Sequence, residues 1–372
     1  MLFLLFLYST ITSADELKIS SGPNNELILT SSDCESLLKT ENALCEWKNK
    51  IDPTFIISKN LSKSCIPLSN KKFKLSITAC LPEIAKSFHS KKMIKDGPNC
   101  WGTAMSLNGL SSTPRFMWPE EMMYWMDNSK ICRKLSPGEK PIPGDIINIY
   151  APEKMDEKER AETDAGTNFW EFLFPGRLTR AQGDVGGTDY TGYQRLLHSV
   201  TFISEALAYG KDSPSRLDKF YFHPLNEVYG RPYETECQEN QELNPYLREN
   251  QNPPKKIKGS KCSYFSTAYR CDNVSEYFNG MTLKDYEKES WNRILALKIM
   301  QEKLFPLLFN LKNIDKKSIQ SMSLLAEKSL SQSAEELKAR PLDKNKEMLL
   351  AIEYFTAAGI QHSLIQLGLV KP

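Results

Sequence analysis

The sequence is poor in histidine and has no closely spaced cysteine pair. Four His occur among 372 residues, and no Cys-x-x-Cys spacing occurs among the nine cysteines. Structural zinc sites draw on such pairs and on neighbouring His. A metal site is therefore not expected, and no cofactor is predicted.

An excess of either charge is also missing. Lys and Arg number 48 against 46 Asp and Glu, so the chain offers no broad basic surface to nucleic acid or to an anionic membrane. Beyond the N-terminus no stretch approaches the roughly 18 apolar residues that a membrane span needs. We expect a soluble mature protein with neither partner, and the 40% apolar share excludes general disorder.

The N-terminus has the pattern of a secretory signal, although a basic residue before the apolar run is missing. Residues 2–8 are apolar, and small or polar residues follow as far as Ala14. This order predicts a signal peptide over residues 1–14, cleaved after Ala14. The mature chain is then secreted or, in a bacterium, periplasmic.

The odd number of cysteines leaves one for chemistry if the rest pair. An oxidising compartment allows eight to form disulfides, and Cys34–Cys45 with Cys65–Cys80 is the simplest of three pairings near the N-terminus. We take Cys100 as the unpaired one; the alternative puts Cys100 in a disulfide and leaves Cys132 or Cys237 free. The nine are Cys34, Cys45, Cys65, Cys80, Cys100, Cys132, Cys237, Cys262 and Cys271.

Composition divides the mature chain into four segments. Residues 15–95 contain short alternating apolar runs and four cysteines, which predict a small β unit stapled by disulfides. Residues 96–230 mix helix and strand signals, with a charged and glycine-containing insertion or lid at 151–194. Residues 231–282 form a Pro- and Asn-rich connector pinned by cysteines. Residues 283–372 have helical periodicity and predict a three-helix bundle.

Cys100 lies where a helix is expected to begin. Gly97 and Pro98 break the chain before it, and residues 103–107 are compatible with a helix. The N–H groups at a helix start stabilise a thiolate, which is the attacking form of cysteine, and they can hold the oxyanion of a tetrahedral intermediate. We therefore expect an acidic, fast-reacting thiol at this position.

A cysteine nucleophile needs a base, and His198 is the best of the four histidines. It opens an alternating strand, residues 198–203, directly after the insertion. We expect its ring at the sheet edge, directed toward the helix of Cys100. The competing interpretation is an ordinary half-buried strand histidine; His89 and His362 are less suitable by position.

Three motifs in this order resemble a known family. Asn99-Cys100-Trp101-Gly102 begins a helix, Pro143-Gly144-Asp145-Ile146 leads into a strand, and His198-Ser199-Val200 opens another. The order resembles the NlpC-type and CHAP-type branch of papain-like cysteine peptidases. The resemblance covers residues 96–224, and Trp101 departs from the small residue that commonly follows the nucleophile.

The resemblance implies an α+β fold, with a papain-like core whose N-terminal helix packs on an antiparallel sheet. It implies Cys100 as nucleophile, His198 as general base and a third polar residue that orients the ring. Asp212 is the preferred third residue, and His223 is the alternative. For substrate contacts we name Asn99, Trp101 and, in the insertion, Trp170, which either lines a cleft or belongs to a flap that covers it.

The implied reaction is hydrolysis of an amide bond. Relatives of this type commonly cut peptide bridges in bacterial cell walls, so peptidoglycan stem peptide is the expected substrate, with a protein as the other choice. This step is an analogy from the fold. Two other classes stay open: an inactive papain-like module that binds wall peptide or a protein, and a purely structural exported protein.

Overall fold

The structure is a computed structural model of the 372-residue chain, which divides into two compact units, Met1–Leu81 and Pro82–Pro372. The signal peptide, most of the connector and residues 155–193 lie outside the described part, so those predictions stay predictions. The described residues are 17–22, 26–109, 111, 113–118, 121–122, 124–128, 131–136, 139–154, 194–225, 232–236, 261–263, 265–271, 288–310, 315–339 and 344–371.

The first unit joins a small antiparallel sheet to one long helix. The sheet has the strand order β1-β2-β4-β3, with β1 at Lys18–Ser21, β2 at Leu27–Ser31, β3 at Ile66–Pro67 and β4 at Phe73–Ser76. Helix α1, Cys34–Ile51, begins after Asp33, whose carboxylate accepts hydrogen bonds from two N–H groups of the first turn. Leu37, Leu44 and Trp47 bury its apolar face.

The predicted disulfide pairing of this unit is wrong. Cys34 and Cys45 both lie on α1, eleven residues apart. Eleven residues of helix span about 16 Å, whereas the Cα atoms of a disulfide lie within about 7 Å of each other. The bridges are instead Cys34–Cys65 and Cys45–Cys80, which tie the two ends of the helix to the segments around the sheet.

The second unit is built on a six-stranded antiparallel sheet with the order β5-β12-β6-β7-β8-β9. Its strands are β5 at Arg133–Lys134, β6 at Ile146–Lys154, β7 at Gln194–Ser204, β8 at Leu207–Gly210, β9 at Tyr221–Pro224 and β12 at Phe265–Arg270. Strands β10, Pro232–Glu236, and β11, Lys261–Ser263, pair with each other. The described fold is therefore mixed α+β with antiparallel sheets, as the sequence predicts at this level.

Helices cover one face of the larger sheet. They are α2 at Glu83–Phe88, α3 at Cys100–Ser106, α4 at Lys288–Leu304, α5 at Lys316–Lys338 and α6 at Lys344–Gln366. Ala104 and Met105 of α3 share one buried cluster with Ile146 of β6 and with Leu349 and Phe355 of α6. The C-terminal helices thus complete the core of the second unit.

Two further features bear on where the protein works. A third disulfide, Cys132–Cys271, joins residues beside β5 and β12, and disulfides indicate an oxidising environment. Among the described helices, Lys346–Gln366 is long and apolar enough to cross a membrane, but 67% of its most apolar window is buried inside the protein. That degree of burial is typical of a core helix.

Candidate functional site

Cys100 is the free cysteine in the described part of the chain, and it begins α3. The side-chain oxygen of Asn99 accepts hydrogen bonds from the N–H groups of Gly102 at 3.0 Å and Met117 at 3.2 Å. The Asn99 amide also donates to the Met117 carbonyl at 2.7 Å. These bonds hold the helix start, and with it the backbone of Cys100, against the 115–117 segment.

Burial makes the resting thiol a weak acid. The pKa of Cys100 is raised to about 11, mainly because the side chain is removed from water. Hydrogen bonds from the backbone N–H groups of Ser199, Trp101 and Cys100 itself oppose this rise, and the charge of Asp212 adds to it. The expectation of an acidic thiol is therefore wrong for the resting protein, because burial outweighs the helix start.

His198 does not lie on the face of the sheet that α3 covers. Side chains alternate along β7, so His198 and Val200 share one face, and Ser199 and Thr201 share the other. Ile146, which packs with α3, pairs with Thr201 and so belongs to that second face. The prediction that the His198 ring points toward the helix of Cys100 is therefore wrong.

The thiol interacts with β7 and with Asp212 near the end of β8. Strand β8 ends at Gly210, just before the position that would oppose Ser199 in the register of this pair. The sulfur of Cys100 is bonded to the Ser199 N–H. Asp212 lies just past the end of β8, with Oδ1 3.8 Å from His198 Nε2, and its charge also acts on the sulfur.

A second histidine completes the group around Asp212. His223 Nε2 lies 3.9 Å from the same Oδ1 atom, and His223 is buried whereas Asp212 is half exposed. The hydroxyl of Tyr221 donates to the other carboxylate oxygen of Asp212 at 2.6 Å. Its ring also stacks on His223, with the centroids 3.9 Å apart. Asp212 and His223, named as alternatives for one role, are both present here.

A loop anchored by a buried lysine carries Asp212. Lys211 donates through Nζ to the carbonyl oxygens of Ser213 and, at 2.8 Å, Ser215. Burial lowers the pKa of Lys211 to about 8. The negative charges of Asp218 and of a Cys100 thiolate oppose that decrease. The same loop is hydrogen-bonded to the segment just before Cys100, because the N–H of Gly97 donates to the Pro214 carbonyl at 2.9 Å.

The other residues that the sequence analysis named lie in different places. The side chain of Asn99 is buried and committed to the bonds above, so its place in substrate binding stays a prediction without a contact to support it. Trp101 is half buried and packs on the α3 core, and its role also stays a prediction. Trp170 and the lid lie outside the described residues. His89 and His362 pack elsewhere, against Phe222 and Phe116.

Sequence reasoning missed Lys211 and Tyr221. Both had a usable signal: Lys211 directly precedes Asp212, and Tyr221 is two residues before His223, which places both rings on one face of β9. The grouping of His198, Asp212 and His223 from neighbouring parts of the sheet was not predicted from the sequence either.

Comparison with known proteins identified no relative. No family model, no curated protein and no solved structure matches this chain.

Proposed function

We propose that the second unit is an exported cysteine hydrolase that cleaves an amide bond, with peptidoglycan stem peptide as the leading substrate. Cys100 is the nucleophile, His198 the general base and Asp212 the residue that orients the ring. Support for this comes from one observation above all: the Asp212 carboxylate lies beside His198 Nε2 and also acts on the sulfur of an unpaired Cys100.

The two ring nitrogens of His198 would have different tasks. Nε2 faces the Asp212 carboxylate, and we assign to Nδ1 the task of accepting the proton of the thiol. The high pKa of Cys100 favours proton removal during attack over a thiolate that exists beforehand.

The reaction balances with water as the only other reactant. The sulfur of Cys100 forms a bond to the amide carbon, and its proton passes to His198. That proton then leaves with the amine as the carbon–nitrogen bond breaks. Water, deprotonated by His198, attacks the thioester and restores the thiol, while N–H groups at the start of α3 can stabilise the oxyanion.

Purified peptidoglycan tests the proposal directly. The mature chain is incubated with sacculi, and mass spectrometry detects new amino and carboxyl ends in the released peptides. Cys100→Ser and His198→Gln are each expected to lower the initial rate by about 10³-fold or more. The matched control is His362→Gln, a histidine whose ring packs against Phe116 and Trp118, which should keep the wild-type rate.

Two results would contradict the hydrolase. Equal product from the wild-type chain and from Cys100→Ser excludes thiol catalysis. Loss of activity in His198→Gln with full activity in Cys100→Ser assigns catalysis to a different group. Circular dichroism of each variant separates either result from misfolding.

One observation favours a second candidate, a non-catalytic module that binds wall peptide or protein. Cys100 is only 5% exposed, and its thiol is protonated at neutral pH because of its raised pKa. A binding module predicts that the wild-type chain and Cys100→Ser sediment with sacculi equally and that neither releases peptide. Release by the wild-type chain alone rejects this candidate.

A further inference from the structure

We propose that His198, Asp212 and His223 form a binding site for a divalent transition-metal ion of the Zn²⁺ class. One potential ligand atom from each residue lies within 4.8 Å of the other two. Both imidazole Nε2 atoms approach the same carboxylate oxygen, at 3.8 and 3.9 Å. Two imidazoles and one carboxylate are a donor set that Zn²⁺ accepts.

The sheet brings these side chains together. Ala208 of β8 pairs with Phe202 of β7 on one side and with His223 of β9 on the other, so these residues share a face. His198 is four residues before Phe202 and therefore lies on the same face. Asp212 follows β8, the strand between the two histidine strands. Two of the ligands thus stand on strands, and the third stands on the loop that directly follows β8.

Tyr221 prepares the carboxylate for such an ion. Its hydroxyl occupies Oδ2 of Asp212, which leaves Oδ1 directed at the two imidazoles. Because the same ring stacks on His223, one side chain orients two of the three ligands. Partners of this kind, behind the ligands themselves, set the geometry and affinity of metal sites.

The space around the ligands suits a small ion. A tetrahedral zinc ion with bonds of about 2.0–2.1 Å holds neighbouring ligand atoms about 3.3 Å apart. Each Nε2 atom therefore needs to approach Oδ1 by about 0.5 Å, and the two imidazoles need to approach each other by at most about 1.5 Å. Asp212 is 49% exposed, which gives an ion and a fourth ligand from solvent a path to the site.

Metal binding would switch off the hydrolase, and this consequence rests on the proposed function. A neutral imidazole that binds a metal through Nε2 carries its proton on Nδ1. Nδ1 of His198 is then a donor and no longer able to accept the proton of Cys100. The ion also takes Asp212 away from its orienting role. Zinc therefore acts as an inhibitor that competes for the base, not for the nucleophile.

Calorimetric titration with ZnCl₂ tests the site without relying on catalysis. The mature Cys100→Ser chain, which excludes thiolate ligands at this position, is expected to bind one ion per chain. Adding His223→Gln or Asp212→Asn should weaken the Kd by about 100-fold, since each removes a ligand. Adding His362→Gln, a histidine outside the cluster, should leave the Kd unchanged within about twofold. Circular dichroism checks that each variant is folded.

The outcomes separate this proposal from the hydrolase. Failure to bind zinc saturably, or equal affinity in the Asp212→Asn variant, overturns the metal site whatever the chain does to peptidoglycan. Bound zinc with no peptide release by the metal-free chain overturns the hydrolase and keeps the site. If hydrolysis occurs, zinc should inhibit the wild-type chain. Hydrolysis at full rate by the zinc-loaded chain overturns the inhibitory role.

Discussion

At the scale of single residues, the chemistry of Cys100 depends on which of two opposing effects is larger. The N–H groups around the sulfur stabilise a thiolate, and burial destabilises it. The pKa of about 11 shows that burial prevails in the resting protein. A thiol of this kind is inert until something removes its proton, which suits a site that must survive in an oxidising environment.

Alkylation of Cys100 should therefore be slow at neutral pH. With a pKa of about 11, about one thiol in 10⁴ is ionised at pH 7, and the rate should rise about tenfold per pH unit up to that pKa. Iodoacetamide labelling followed by peptide mass spectrometry measures it, with Cys100→Ser as the blank. A fast phase below pH 7 would show instead that His198 and the thiol form an ion pair.

Tyr221 is the residue that distinguishes an organised cluster from a chance one. Tyr221→Phe keeps the ring on His223 and removes only the donor to Asp212. We expect the zinc Kd of the Cys100→Ser chain to weaken by about tenfold, with little change in the free energy of unfolding because the bond is exposed. Calorimetry and urea unfolding measure the two. An unchanged Kd would mean that the carboxylate needs no support.

At the scale of secondary-structure elements, the position of α3 depends on one close backbone contact. A Cβ atom on Gly102 would lie 1.7 Å from the carbonyl oxygen of Arg115, which is a backbone atom that cannot move aside alone. The bonds of Asn99 to Met117 hold the same segment. Gly102 is thus required for the helix start to approach the 115–117 segment.

Gly102→Ala should lower the free energy of unfolding by about 3 kcal/mol or more, since the backbone has to separate. Gly368→Ala is the matched control: its φ of +70° imposes strain, but no atom lies within 4 Å of the added Cβ. Gly368→Ala should lower the free energy of unfolding by only about 1 kcal/mol. Urea unfolding compares them, and equal losses in the two variants would contradict the packing argument.

Some secondary-structure elements were predictable from the sequence, and others were not. Strands β6 and β7 and the three C-terminal helices were predicted because periodicity and breakers are local signals. Helix α1 was missed, although Asp33 caps it and Leu37 and Leu44 have helical spacing, because the flanking short apolar runs favoured a β interpretation. That error led to the wrong disulfide pairing.

The candidate site was predictable only in part. His198 was named because it opens a strand, and Asp212 because the resemblance implies a third residue there; the two lie together. The face on which His198 stands was not predictable, because it depends on where β7 pairs with β6 across an irregular register. The cluster with His223 depends on the same long-range pairing, which no local pattern contains.

At the scale of the whole molecule, the disulfides act on separate units. Cys132–Cys271 closes a separation of 139 residues in the larger unit, and Cys34–Cys65 closes 31 in the smaller one. The entropy that a cross-link removes from the unfolded chain grows with loop length. The longer bridge is therefore worth about 1 kcal/mol more than the shorter one.

Each pair of serine substitutions should affect one thermal transition. The Cys132→Ser, Cys271→Ser chain is expected to lose about 4 kcal/mol in the larger unit, with the transition of the smaller unit unchanged. The Cys34→Ser, Cys65→Ser chain should show the reverse with a smaller loss. Differential scanning calorimetry resolves the transitions. A single transition that shifts in both variants would show that the units unfold together.

The pairing of β6 with β7 has a consequence for engineering. Lys154, at the end of one strand, still pairs with Gln194, at the start of the next, so the sheet continues to the point where residues 155–193 depart. A loop of different length between these two positions is therefore expected to keep the pairing of β6 with β7.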